Sequence, residues 1–118
     1  MSAFHLPLIL FAVTLSTAPV LADARGDAKT QVDFGIKVAQ RGLWREAIYR
    51  WQRASQLDPT YAAAFNNLAI GYEHEGKLDQ ARDAYEKALA VEPENTLIKQ
   101  NYDLFKEIND RAAKKDGQ

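Results

Sequence analysis

Cysteine is absent from this 118-residue chain. That excludes a disulfide framework, a thiolate nucleophile, a Cys-ligated metal or iron-sulfur cluster and a lipid-modified N-terminal cysteine. No sign of charge dominates: 15 Lys and Arg stand against 16 Asp and Glu, so an affinity resting on nucleic-acid phosphates is not expected. Proline is scarce, with four residues, and this gives each one positional meaning. What is present is 47% hydrophobic, 10% aromatic and 26% charged residues, the composition of one small folded domain rather than a disordered tail.

Charge is also missing locally. Met1 to Ala22 contains no Asp, Glu, Lys or Arg. Leu6 to Leu15 is an apolar run of signal-peptide length, shorter than the roughly 20 residues that span a bilayer. Val20-Leu21-Ala22 sets small residues three before and one before a cut ahead of Asp23, and Ala22-Asp23-Ala24 offers a second cut. Residues 1–22 are therefore read as an export signal cleaved after Ala22, with a basic flank reduced to His5. Residues 23–27 are read as a linker, and the expected location is periplasmic or secreted, without stable membrane insertion after cleavage.

The remainder repeats with a period of 34 residues. The shift aligns Phe34 with Leu68, Gly35 with Ala69, Gly42 with Gly76, Trp44 with Leu78 and Ala47 with Ala81. It continues through Trp51 and Tyr85, Ala54 and Ala88, Leu57 and Val91, and Pro59 and Pro93. Each unit reads as two helices around a glycine turn. Pro59 and Pro93 punctuate the units, since proline can open a helix but cannot continue one. Ala47, Ala54, Ala81 and Ala88 fall where paired helices cross closely, and Trp51 and Tyr85 fill the space that remains.

On these residues the chain resembles the tetratricopeptide repeat family. Phe65, Leu68, Ala69, Tyr72, Gly76, Ala81, Tyr85, Ala88 and Pro93 match its motif in the second unit; Gly35, Gly42, Ala47, Trp51, Ala54 and Pro59 match it in the first. Gln31 and Val38 depart, standing where the motif prefers aromatics, so a looser first helix is expected. The resemblance implies an all-α fold, an α-α superhelix of two helical hairpins (28–61 and 62–95) and a solvating helix (96–111). Asp103 and Lys106 stand on that last helix where small and aromatic residues would continue the array. Residues 112–118 read as a fraying tail.

Chemistry has few parts here. Past residue 22, Ser55 and His74 are the lone candidates for a Ser-His pair, and they sit on helices of different units. No glycine-rich nucleotide loop, His-Glu-x-x-His or calcium loop occurs. Glu73 and Glu75 flank His74, but sequence neighbours diverge by about 100° on a helix and do not converge on a metal. No catalytic residue, metal or cofactor is assigned. Residues 28–61 carry six basic and three acidic side chains, net +3, whereas 62–95 carry three and seven, net −4. Trp44 and Trp51 interleave Lys37, Arg41, Arg45, Arg50 and Arg53, but both occupy repeat-packing positions, so no nucleic-acid partner is expected.

First helices line the inner surface of such an array. With Phe34 and Val38 taken as the packing side, the expected partner-binding residues are Lys29, Val32, Ile36 and Gln40. The 34-residue shift carries these to Ala63, Asn66, Ile70 and His74, Asn67 joins the polar rim, and the third helix adds Leu97, Gln100 and Leu104. Of the positions with which one subset of the family holds C-terminal carboxylates, Asn67 alone is matched. The expected function is an exported, non-catalytic scaffold that binds a peptide or partner helix in an envelope-associated complex, with weak self-association. The alternative is an accessory subunit or small-ligand carrier of an exported enzyme system.

Overall fold

The computed structural model describes residues 18–117 together with Ala3, and side chains from Asp23 onward. The expected export signal thus lies mostly outside the described residues. Five helices follow in order: α1 (Ala18–Gln40), α2 (Trp44–Leu57), α3 (Ala62–His74), α4 (Leu78–Val91) and α5 (Thr96–Asp116). No strand occurs among the described residues. The fold is the all-α stack of two hairpins and a closing helix that the periodicity implied.

The hairpin turns are built alike. Gly42 and Gly76 adopt φ of 79° and 69°, where an L side chain meets its own backbone and glycine does not. The Gly42 N–H donates to the Ala39 carbonyl at 2.8 Å and the Leu43 N–H to that of Val38 at 3.0 Å. Gly76 donates to Glu73 at 3.1 Å and Lys77 to Tyr72 at 2.8 Å. These paired closures satisfy the carbonyls that each helix end leaves unmatched. Between the hairpins Asp58 is extended, at φ −141°, and its carboxylate accepts from the Thr60 N–H at 2.9 Å. Asn95 caps α5, accepting from the Ile98 N–H at 3.1 Å.

The core runs down the middle of the stack. Ala47, Ala54, Ala81 and Ala88 are wholly buried, and Trp51, Tyr85 and Phe105 are the largest fully buried side chains. Each of these three contributes about 1.5–3 kcal/mol by leaving water. Tyr85 lies 5.6 Å from Phe105 and 5.4 Å from Tyr102, centroid to centroid, which fastens α5 onto α4. Lys106 of α5 pairs with Asp103 of the same helix at 3.5 Å.

Two segments differ from expectation. Residues 23–27, read as a linker, are helical and part of α1. The cause is tertiary: Arg25 pairs with Asp58, donates to the Thr60 carbonyl at 3.2 Å, and lies 4.8 Å from the Tyr61 ring centroid. The tail read as fraying from residue 112 continues as helix to Asp116. Lys114 and Lys115 sit in that last turn, where cations complement the helix dipole.

Candidate binding surface

The first helices α1 and α3 present Ile36, Ala39 and Gln40, and Asn67 and Ile70, to a groove of about 350 Å³ completed by Trp44 and Trp51 of α2. Its floor is aliphatic and aromatic, and its polar groups are two amides, the pattern of a site that buries apolar surface and orients it with a few hydrogen bonds. One amide is held in place: Asn67 Nδ2 donates to the Ala63 carbonyl at 2.8 Å. At one end the His74 imidazole lies flat on the Trp44 indole, with centroids 3.6 Å apart and planes within 10°. This stack joins the start of α2 to the end of α3 and limits the groove there.

The strip continues onto α5. Leu97, Leu104 and Ile108 are 60%, 57% and 56% exposed, although Ile98 and Phe105 of the same helix are buried. Residues 97, 104 and 108 share one face by helical spacing, and the 34-residue register makes Leu104 the third member of a row with Ile36 and Ile70. None of these exposed leucines or the isoleucine packs the core, so the fold does not account for them.

The expected site residues separate into three groups. Ile36, Gln40, Asn67 and Ile70 come together in the groove, and His74 borders it. Gln100 and Leu104 lie exposed on α5, outside the groove lining but along its extension. Lys29 is exposed and held by Asp33 at 2.9 Å, a contact that raises the Lys29 ammonium above its ordinary value. Val32 and Asn66 are interior. Val32 is 3% exposed, and its carbonyl accepts the Trp51 Nε1–H at 3.2 Å. Asn66 is 7% exposed and accepts from Asn101 Nδ2 at 3.2 Å.

The placement of Val32 on the open face and Phe34 on the packing face is thereby corrected. Phe34 is exposed, with the Arg50 guanidinium 4.4 Å from its centroid. The reason is the Trp51 indole, which reaches under α1 and rolls the Val32 side of the helix inward. Sequence reasoning missed Trp44, treating it as a packing residue. Its register partner Leu78 is itself 43% exposed, and the pair of bulky residues just after each glycine turn was the available signal.

A larger cleft of about 580 Å³ lies between α2 and α4, lined by Gln52, Gln56, Asp79, Asp83 and Lys87 over Phe65 and Tyr72. Its walls are solvated polar side chains, including the Asp83–Lys87 pair at 2.9 Å, and Gln52 already donates to the Tyr72 hydroxyl at 3.0 Å. The apolar groove on the first helices is therefore the stronger candidate for recognition.

Antiparallel helix pairs that recur after 34 residues and present a groove on their first helices define a helical-repeat scaffold. The chain belongs to the tetratricopeptide repeat family: a family model described as Tetratricopeptide repeat matches residues 62–95, and one described as TPR repeat matches residues 38–74. An uncharacterized protein of Methanocaldococcus jannaschii is 32% identical over 69 residues, 58% of this chain and 80% of that protein. The type IV pilus assembly protein PilF of Pseudomonas aeruginosa is 31% identical over 74 residues, 63% of this chain and 29% of that protein. A Petunia hybrida protein named as a probable UDP-N-acetylglucosamine--peptide N-acetylglucosaminyltransferase, SPINDLY, is 32% identical over 74 residues, 63% of this chain but 8% of that protein. The likeness to the transferase-named protein is thus confined to a small part of it. Tetratricopeptide domains are generally non-catalytic scaffolds that bind protein partners. Among the described residues no helix is long and apolar enough to cross a membrane.

Proposed function

We propose that this chain is an exported, non-catalytic scaffold that holds a peptide or partner helix along α1, α3 and α5, within an envelope-associated assembly. The observation that carries the reading is the apolar row of Ile36, Ile70 and Leu104, flanked by Leu97 and Ile108, which lines the groove and the adjoining side of α5 and is left out of the core. An extended peptide or an amphipathic helix recovers this apolar area, and Gln40, Asn67 and Gln100 supply hydrogen bonds along its path. Export is supported by the uncharged, apolar Met1–Ala22 segment, and assembly membership by the relative named for type IV pilus assembly.

The test is site-directed photocrosslinking in the native cell, with the crosslinker at Ile70 or Leu104 and, as control, at Ser55 on the α2–α4 side. A protein adduct specific to the first two positions is expected, and the same mass spectra read the mature N-terminus, expected at Asp23. Adducts at Ser55 alone would overturn the groove, and an intact Met1 on the crosslinked protein would overturn cleavage. A small-ligand carrier is the second reading. It is favoured by the largely apolar lining that Trp44, Ile36 and Ile70 give the groove, and it predicts a bound small molecule in native mass spectra instead of a protein adduct.

A further inference from the structure

The α1–α2 hairpin has an edge that faces away from α3, and the 34-residue register exposes what is unusual about it. Leu68 is 5% exposed, whereas its equivalent Phe34 is 45% exposed. Arg45, Tyr49 and Arg53 recur every four residues along one face of α2. Their equivalents on α4, Asp79, Asp83 and Lys87, line the cleft opposite α2. The edge is therefore one half of an inter-repeat contact whose other half is not supplied by any described residue. A guanidinium stands in its place: Arg50 lies 4.4 Å from the Phe34 centroid and 5.7 Å from that of Tyr49, steadied by Glu46 at 3.0 Å.

Charge marks the same edge. Lys37 and Arg41 follow Phe34 at helical spacing, and Arg45 and Arg53 bracket Tyr49; all four are exposed, and none pairs with a described carboxylate. The acidic residues nearest to this edge in sequence, Asp33 and Glu46, are engaged by Lys29 and Arg50. Four uncompensated cations around two exposed aromatic rings are more than solubility requires in a chain of near-zero net charge.

We infer that this edge is a second docking surface, separate from the groove, for an acidic amphipathic helix of a partner protein seated where the second helix of a preceding repeat would pack. The helix covers Phe34 and Tyr49 with its apolar side and meets Lys37, Arg41, Arg45 and Arg53 with flanking Glu or Asp. A second copy of this chain fits less well, because four of the seven acidic residues on its α4 and α5 are committed, Asp83, Asp103 and Glu107 to Lys or Arg and Glu86 to the Tyr102 hydroxyl. The Met1–Ala22 segment has no acid to offer.

The experiment titrates the isotope-labelled full chain with a synthetic amphipathic helix of about 18 residues carrying Leu on one face and Glu on its flanks. The same helix with Lys flanks is the first control, and vesicles of phosphatidylglycerol and phosphatidylcholine are the second. Amide shifts are expected at Phe34, Tyr49 and Arg53 but not at Ile70 or Leu104. The R45E/R53E double variant is expected to lose about tenfold or more in affinity at an unchanged melting temperature, and added salt to weaken binding. The Ile70→Asp variant, which disables the groove, is expected to bind the acidic helix normally, so the two surfaces fail separately. Shifts at Ile70 and Leu104, equal binding of the Lys-flanked helix, indifference to charge reversal, absence of binding, or binding to vesicles alone would each overturn the assignment.

Discussion

The indole of Trp51 lies directly against the bare Cα of Gly35: a Cβ there would come within 2.8 Å of the indole Cδ1. On the opposite side Gly71 of α3 leaves room for the same ring and for Ile48, whose Cγ1 would meet a Cβ at 2.7 Å. One tryptophan thus ties α1, α2 and α3 together, and two glycines set how closely they approach.

Gly35→Ala and Gly71→Ala are expected to destabilise the fold. Alanine adds up to about 1 kcal/mol of helix propensity, but forcing a methyl into a packed ring costs about 1–3 kcal/mol. Gly26, in α1 with nothing within 4 Å of its Cβ position, provides the opposite case, and Gly26→Ala is expected to stabilise by up to about 1 kcal/mol. Urea unfolding of the three variants checks the signs; a gain at Gly35 would mean that α1 does not press on Trp51.

Core and binding residues separate by substitution with aspartate. Val32→Asp places a charge in the interior and is expected to cost more than about 4 kcal/mol, unfolding the first hairpin. Leu104→Asp, on the exposed face of α5, is expected to change stability by less than about 0.5 kcal/mol while abolishing the partner adduct. Thermal melts read beside crosslinking yields distinguish the two, and a fold intact with Asp at position 32 would contradict the placement of α1.

Gln31 carries a side-chain oxygen that is buried with no hydrogen-bond partner, at the position where the second unit has Phe65. Leaving such a group unsatisfied costs about 1–3 kcal/mol. Gln31→Leu is expected to recover about 1 kcal/mol of that, read as a higher urea midpoint at an unchanged slope. A lower midpoint would show that the amide is satisfied in solution.

Two titrations bound the pH range of stability. The hydrogen bond from Arg25, with further help from Thr60, holds the Asp58 carboxyl below the usual carboxylate range. The stabilisation from this clasp is therefore complete above about pH 4, the unfolded value, and is lost as pH falls through the lower folded value. Burial, followed by the hydrogen bond to Glu73 at 2.5 Å, drives the Tyr85 hydroxyl far above its ordinary value. Folding thus keeps the phenol protonated, and stability is expected to fall as pH rises above about 10. Melting temperatures of Arg25→Ala and Tyr85→Phe against pH check both. The acid decline should be shallower in the first variant and the alkaline decline shallower in the second.

Two and a half repeats leave Leu97, Leu104 and Ile108 in water, so weak self-association is expected when no partner is supplied. Light scattering and melting across about a hundredfold dilution measure it, since oligomerisation makes melting depend on concentration. An unchanged monomer at every concentration would reject it.

Much of this architecture was legible in the chain because its signals are local or strictly periodic. Gly42 and Gly76 mark turns through a backbone conformation that other residues avoid, Pro59 and Pro93 break helices through a fixed φ, and the alanines recur because each pair of helices crosses in the same way. These features act over a few residues, so the chain alone determined the helices, their pairing and the face on which Ile36, Ile70 and Leu104 align. The tertiary structure decided which residues of α1 face inward. That depends on the rotation of one helix about its axis, set by a Trp51 ring arriving from 16 to 19 positions away and by the absence of a side chain on Gly71 beyond it. It also decided that residues 23–27 are helical, since the clasp between Arg25 and Asp58 joins segments 33 positions apart, where neither propensity nor spacing carries any signal.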